Sequence, residues 1–365
     1  MKCKVDKAGI QKAIKVIKKL LGNESYILLK IDEDEEILSL IVDSNRYIKY
    51  NVPVTKAVSG KAVLSFPLLE SILSKLKDSH ISIEKKKNVV EFKGGAEFNL
   101  FCANIQIKDN LSFSKKKASV FEISSKNVGN FKEILNSVAF NIKFSELGNA
   151  ERQSPCIIEN TKKGLTVKLA DAGHCAFYEN KEPICDKSFK LATIKELFAP
   201  VFALMNTEVT LYISKSELLV TSPFIAVTIP TVQTGTHFIE NGEEPVNNDS
   251  LYEKKITMNA QEFKDAVSSL GSVAELGSHV HFILKNGKIM ASLKSNSGNS
   301  KVTLDCETSL KRAAMKLPIP YLSTLVKVCS VGEKVTFQLE KNKKFYRMKT
   351  TTSDLKVIGV GPTLS

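Results

Sequence analysis

Residues 208–229 read EVTLYISKSELLVTSPFIAVTI. Val209, Leu211 and Ile213 alternate with neighbours of more polar character, a short Ser- and Lys-bearing break follows, and the chain resumes as a second strand. That period of two, closed by a polar turn, is the pattern of a β-hairpin. The pattern is written twice more. HISIEKKKNVVEFKGGAEFNLF, from His80, opens with Ile81 and Ile83, and KVTFQLEKNKKFYRMKTTTSDLKVIGV, from Lys334, opens with Val335, Phe337 and Leu339. The three hairpins start at near-equal intervals, and self-similarity at a fixed period signals tandem modules. The EKKKN run at 84–88 fills the slot that SKSE and KNKK fill elsewhere, so it reads as a solvated turn.

Outward from each hairpin the chain is helical. FPLLESILSKLKDS, TIKELFAPVFALMNT and IPYLSTLVKVCSVG precede the three strand runs, with apolar residues at three- and four-residue steps, as in Leu69, Ile72, Leu73 and Leu76 or Leu322, Leu325, Val326 and Cys329. A second helix opens each module after a short alternating strand (Cys3 and Val5; Phe121 and Ile123; Ile256 and Met258). Asp6 and Asn259 stand at N-cap positions ahead of Ile10 and Phe263, and Asn259 with Glu262 has capping-box spacing. The middle module has a longer entry, capped near Ser125 before Phe131. The expectation is an α+β protein of three tandem repeats near 1–118, 119–250 and 251–365, each with two helices packed on antiparallel sheets. SFSKKKAS at 112–119 and ENGEEPVNNDS at 240–250 supply polar, charge-dense joints.

Length agrees, since 365 residues exceed one ordinary core and suit two or three domains. A composition 43% hydrophobic and 25% charged is that of a soluble globular chain. Lys and Arg outnumber Asp and Glu by 52 to 39, and the resulting +13 suits a polyanionic partner. The seven cysteines are scattered and never in a ligand spacing, so they read as small hydrophobes in a reducing compartment. The N-terminal MKCKVDKAGIQKAIKVIKKLL has no long apolar core and no cleavage site, and nowhere do 18 apolar residues run together, so a soluble, cytoplasmic protein with no membrane partner is expected.

The surface of the helices carries the functional signal. In the first, Ile10, Ala13, Ile14, Ile17 and Leu21 form the apolar face, while Lys12, Lys15 and Lys19 point the other way with Lys18 beside them. Lys75, Lys77, Lys126, Lys132, Lys195, Lys264 and Lys327 lie on or beside the other helices, diluted by Glu133, Glu196 and Asp265. Any one of these lysines fits a solvated helix face. Their recurrence across the helices of one repeat family points instead to a DNA-binding surface.

With these elements in order, the chain resembles the bacterial-type DNA sliding clamp, the DNA polymerase III beta subunit family, over essentially its whole length. The resemblance rests on the three repeats, the unit YLSTLVKVCSVGEKVTFQLEKN, and ADAGHCAF at 170–177, which is similar to the family's Ala-Thr-Asp-Gly-His-Arg-Leu run with Gly173 and His174 matching. It implies a head-to-tail homodimer in which each chain forms half of a closed ring, helices inside around double-stranded DNA and sheets outside. Such a clamp needs no cofactor and no metal and does no chemistry. It holds DNA polymerase on its template, and polymerase and clamp loader dock on it through short peptide motifs. By position, the peptide cleft would be walled by His174, Cys175 and Ala176, Ile239 in the joint, and Val360, Pro362 and Leu364. Cys175 and Ala176 replace the family's Arg and Leu, and the tail VGPTLS replaces a Met-Pro-Met-Arg-Leu type ending, which bears on peptide specificity. The alternative for His174 is a hydrogen-bonded turn histidine. Ring closure would bring Phe98 and Leu100 of one chain against Leu270, Val273 or Leu276 of the next, closing sheet edges that would otherwise be sticky.

Catalytic readings find little. There are five histidines, no P-loop, GxGxxG, HExxH or GxSxG motif, and His279 and His281 alternate on a predicted strand without a third ligand. The competing class is a non-ring, basic nucleic-acid-binding repeat protein, which would share the charge but not the topology.

Overall fold

The computed structural model describes the backbone of residues 1–21, 25–43, 46–137, 155–171, 174–231, 252–275, 277–319, 322–323, 326, 333–340, 345–351 and 355–362. Within those spans the side chains of 21, 133, 136–137, 155, 169–171, 174–176, 194–197, 253–254, 339–340, 345–346, 351 and 355–362 are left out of the description.

In chain order, the first stretch runs β1 (Lys2–Asp6), α1 (Lys7–Leu21), β2 (Tyr26–Asp32), β3 (Ile37–Asp43), β4 (Tyr47–Val58), β5 (Gly60–Ser65), α2 (Phe66–Lys75), β6 (His80–Lys86), β7 (Val89–Lys93) and β8 (Glu97–Phe101). The second runs β9 (Ser119–Ile123), α3 (Ser125–Ser137), β10 (Pro155–Thr161), β11 (Gly164–Asp171), β12 (His174–Asn180), β13 (Phe189–Ile194), α4 (Lys195–Leu204), β14 (Val209–Ile213), β15 (Glu217–Thr221) and β16 (Ile225–Pro230). The third runs β17 (Tyr252–Asn259), α5 (Ala260–Gly271), β18 (His279–Lys285), β19 (Lys288–Lys294), β20 (Asn299–Asp305), β21 (Glu307–Thr308), β22 (Arg312–Pro318), β23 (Lys334–Glu340), β24 (Phe345–Thr351) and β25 (Leu355–Pro362). Five α-helices stand among the described residues, and the sheets are antiparallel.

The chain divides into two compact units, residues 1–128 with 197–231 and residues 129–196 with 232–365. In the first, one path of strands runs β8-β7-β6-β1-β4-β16-β15-β14-β9, with β5-β2-β3 branching from β4. The long β4 makes this possible. Its C-terminal half pairs β1 (Lys4↔Thr55) while its N-terminal half pairs β3 (Leu40↔Tyr50) and β16 (Tyr50↔Ile225). The second unit holds a nine-stranded sheet, β13-β10-β11-β12-β25-β24-β23-β17-β21, and a separate four-stranded sheet, β20-β19-β18-β22. The middle stretch of sequence therefore feeds both units.

Helix α1 starts where Asp6 caps it, its Oδ2 accepting from Gly9 N at 2.7 Å. It buries Ile10, Ala13, Ile14, Val16, Ile17 and Leu20, the isoleucines, Val16 and Leu20 each contributing about 2 kcal/mol of transfer free energy and the single methyl of Ala13 less. Helix α2 lies alongside, with Gln11 Nε2 donating to Leu73 O at 2.9 Å and Pro67 in the first turn, where a missing N–H costs nothing. Helix α5 is capped by Asn259, whose Oδ1 accepts from Gln261 N (2.9 Å) and Glu262 N (3.0 Å). Turn chemistry fixes the second unit. Asn286 and Gly287 both have positive φ (51° and 72°), which makes the tight β18–β19 hairpin register possible. At Gly164 (φ +137°) a Cβ would lie 2.0 Å from Asn180 O, so only glycine passes there.

Two features go beyond the sequence reading. The chain between β8 and the polar joint at 112–119 is packed: Ile107 and Leu111, with Val63, lie against Leu28, Ile41 and Tyr47, and Phe113 within the joint is buried. In the second unit Arg347 is buried, its Nε donating to Gln338 Oε1 at 2.9 Å and its guanidinium 4.2 Å from the Tyr252 ring centroid. Cys3, Cys156 and Cys185 are buried thiols and Cys102 and Cys306 half-buried ones. Burial pushes the Cys3 thiol up to about 12, which leaves it unreactive at neutral pH.

Candidate nucleic-acid interface

Helix α1, KAGIQKAIKVIKKLL, contains no carboxylate. Lys12, Lys15, Lys18 and Lys19 are all exposed, on the side opposite the buried face, as a 100° step per residue requires. Lys18 is tied across to α2 by an ion pair with Glu70 at 2.8 Å. Lys12, Lys15 and Lys19 leave a stripe of charge, with Lys18 and Lys19 in the last turn, where the helix dipole favours cations. Lys7 at the opposite end donates its Nζ to Leu76 O.

The other helices are less cationic. Lys75 and Lys77 are exposed at and just beyond the end of α2, Lys126 is exposed on α3, and Lys132 is half-buried. Lys195 begins α4, where its side chain lies outside the described residues, as does the whole of Lys327. Lys264 on α5 is exposed but sits between Glu262 and Asp265, the latter accepting from Gln261 Nε2 at 2.8 Å. Among the helices, lysines are thus densest on α1 of the first unit. This asymmetry follows from lysine number and from the acidic residues together: α1 carries five lysines and no carboxylate, whereas α2, α3 and α5 carry one or two lysines each beside Glu70, Glu133, or Glu262 and Asp265.

The cleft residues come from distant parts of the sequence, and the second unit brings several of them together. β11 and β12 form a tight hairpin in which Asp171 faces His174, and β12 in turn pairs β25, with Cys175 opposite Val360 and Ala176 opposite Gly359. Pro362 lies further along β25, opposite Phe345. Ile239, Leu364 and Gly173 lie outside the described residues. The residues named for ring closure divide between surface and core. β8 is the last strand of its sheet. On it Phe98 is half-buried, Leu100 is 7% exposed, and Phe101, absent from the sequence reading, is 81% exposed. Leu270 on α5 is fully buried, Val273 is half-buried, and Leu276 lies outside the described residues. β20 and β22 are the end strands of the four-stranded sheet, and among the described residues no further strand pairs with β20, an edge that the sequence pattern alone does not reveal.

By sequence the chain matches no protein-family model and no curated protein. By structure it is similar, along its whole length, to a protein of Eubacterium rectale assigned as a DNA polymerase III beta subunit (TM-score 0.81, 16% identity, 100% of both chains). It is similar in the same way to the DNA polymerase III beta subunit of Pseudomonas aeruginosa (TM-score 0.80, 15% identity, 100% of both chains). The DNA polymerase sliding clamp of Bacillus subtilis matches at TM-score 0.79 and 16% identity, over 100% of this chain and 99% of that one. The chain has the fold of the bacterial beta sliding clamp. At such identity the sheets, helices and their order are shared while nearly all the side chains differ, so each residue's role in the clamp fold rests on its own surroundings.

Among the described residues no group of three or more His, Cys, Asp or Glu could hold a metal ion, and no helix is long and apolar enough to cross a membrane. His279, half-buried on β18, has its imidazole pKa lowered by burial first, then by Lys316 and His281.

Proposed function

We propose that this protein is a DNA sliding clamp, a non-enzymatic processivity factor that encircles double-stranded DNA as a head-to-tail homodimer and tethers a replicative polymerase in the cytoplasm. The observation that carries the reading is the full-length likeness to beta subunits, joined to an acid-free helix with an exposed lysine stripe. The order strand, helix, four or five strands, helix, three strands is written three times along the chain, the third with its second helix only partly described. This supports three modules near 1–118, 119–250 and 251–365, and half a ring per chain.

In this reading Lys12, Lys15 and Lys19, with Lys75, Lys77, Lys126 and Lys264 in support, face phosphates and make weak, exchangeable contacts that carry no sequence information. Sliding requires that weakness. The free edges of β8 and β20 meet in the dimer, with Phe98, Phe101 and Val273 flanking the joint and Leu100 and Leu270 packed beneath it. The β12–β25 neighbourhood, around His174, Cys175, Ala176, Val360 and Pro362, receives short peptides of polymerase and clamp loader. Without the family's arginine there, its peptide preference differs from that of its relatives.

Sedimentation equilibrium at micromolar concentration tests the reading. A species of twice the 40.3 kDa chain mass is expected. A stable monomer that binds open and end-blocked duplexes alike, with a steep salt dependence, would favour the non-ring basic repeat protein instead.

A further inference from the structure

Among the described residues nothing covers the outer face of the four-stranded sheet in the second unit, and that face is patterned. Val280, Phe282 and Leu284 of β18 point into the core, so its odd-numbered residues face out. Across the strands, Ile283 stands beside Ala314 on one side and Met290 on the other, with Thr303 next to Met290. This middle row is neutral, and Ile283 is 43% exposed. One row along, Lys285 stands between Arg312 and Lys288. On the other side His281 stands beside Lys316, and Lys301 follows beyond Ser292. Each charged row lies about 7 Å from the middle one, two residues along the strand. The carboxylates nearby are engaged. Asp305 pairs with Lys288 at 3.6 Å, and Glu275 accepts from Ser297 N at 2.7 Å.

The first unit contains the same arrangement with its occupant in place. Its branch has the order β5-β2-β3-β4, matching β22-β18-β19-β20. Leu28 stands between Val63 and Ile41, and one row along, in the same chain direction, Lys30 stands beside Lys61. This face is covered by the chain's own 102–113 segment. Ile107 and Leu111 pack on the apolar row. Between them Asp109 reaches both lysines, at 3.4 Å from Lys30 and 3.6 Å from Lys61, and accepts from Tyr47 Oη through its carbonyl.

We infer that the face around Ile283, Lys285 and Arg312 is a docking site for a partner's irregular peptide strap of the same chemistry, an acidic residue between two aliphatic ones. Its aliphatic side chains cover Ile283, Met290 and Ala314, and its carboxylate bridges Lys285 and Arg312. Apart from the imidazoles of His279 and His281, at one end, the described residues of this face present no aromatic ring on which bases could stack, and none stands in the row around Ile283, which disfavours single-stranded nucleic acid. One exposed isoleucine is too little apolar surface to anchor on a lipid bilayer. The site lies within one unit and does not depend on ring closure.

The probe is a fluorescein-labelled synthetic peptide of residues 104–112 carrying Gln106→Glu and Lys108→Glu, titrated with the full-length protein and read by anisotropy. Saturable binding is expected, weakened about tenfold by the double variant Lys285→Glu/Arg312→Glu and several-fold by Ile283→Ser, with circular dichroism unchanged. An Asp109→Asn peptide should also bind several-fold more weakly, while Lys12→Ala/Lys15→Ala leaves binding as it was. Equal affinity for a scrambled peptide of the same charge would overturn the inference. So would an oligothymidylate or phosphatidylserine vesicle that binds this face more tightly and is indifferent to Ile283. Neither result touches the clamp reading, which DNA retention tests separately.

Discussion

Asn259 shows how much one side chain can decide. Its Oδ1 satisfies two of the orphan N–H groups at the start of α5, so Asn259→Ala is expected to cost about 1 kcal/mol, seen as a lower denaturant midpoint at unchanged slope. Glu91 makes a different kind of contribution. Lys86 and Lys93 both reach its Oε2 at 3.1 Å and hold its carboxyl down at about 2. A pKa depressed in the folded state adds stability at pH values above the ordinary carboxylate value of 4.5, and that stability is lost as pH falls from 4.5 toward 2. Glu91→Gln should therefore flatten the acid limb of a stability–pH curve in that window, measured by urea titration at successive pH values. Much at this scale was legible in advance. The caps at Asp6 and Asn259 follow from residue type and position, and the α1 face was right in direction, although Val16 and Leu20 also join the core. The buried Arg347 was not legible, because its partners Gln338 and Tyr252 come from other strands and no local pattern links them.

Among the elements, α1 and β8 carry the sharpest expectations. If the α1 stripe meets phosphates, each lysine removed releases one fewer counterion. The triple variant Lys12→Ala/Lys15→Ala/Lys19→Ala should then lower the slope of log K against log salt by roughly 0.9 for each phosphate left unneutralised, as measured by fluorescence titration of a duplex. Ile17→Ala on the buried side of the same helix should instead cost about 2–5 kcal/mol of stability. On β8, Cys102 N donates to Asn88 O, so by strand alternation the N–H groups of Asn99 and Phe101 point away from β7. Asn99→Pro removes an outward donor and leaves that ladder intact. It should turn a dimer into a monomer in sedimentation, with little change in melting temperature. The hairpins were readable because alternation at Ile81, Val209 and Val335 is local. The joins β4–β16 and β12–β25 were not, since strand pairing over such separations leaves no periodic trace. The strap at 102–113 was not legible for a related reason: Ile105, Ile107 and Leu111 follow neither helical nor strand spacing over any length.

For the whole molecule, the relation between charge and topology matters most. A net charge of +13 would attract DNA to any surface that displayed it, and attraction of that kind vanishes in salt. A link does not. The fold is that of the beta clamps along the entire chain, while among the described helices lysines are densest on α1. That distribution suits a wall that guides DNA more than one that grips it. The direct test uses a linear duplex onto which the protein threads from open ends that are then capped with streptavidin. The complex is washed at a salt concentration that abolishes binding to short duplexes. The protein should survive the wash on the capped duplex and leave promptly once a restriction enzyme frees an end. Loss in the wash despite both caps, or persistence after cutting, would contradict encirclement.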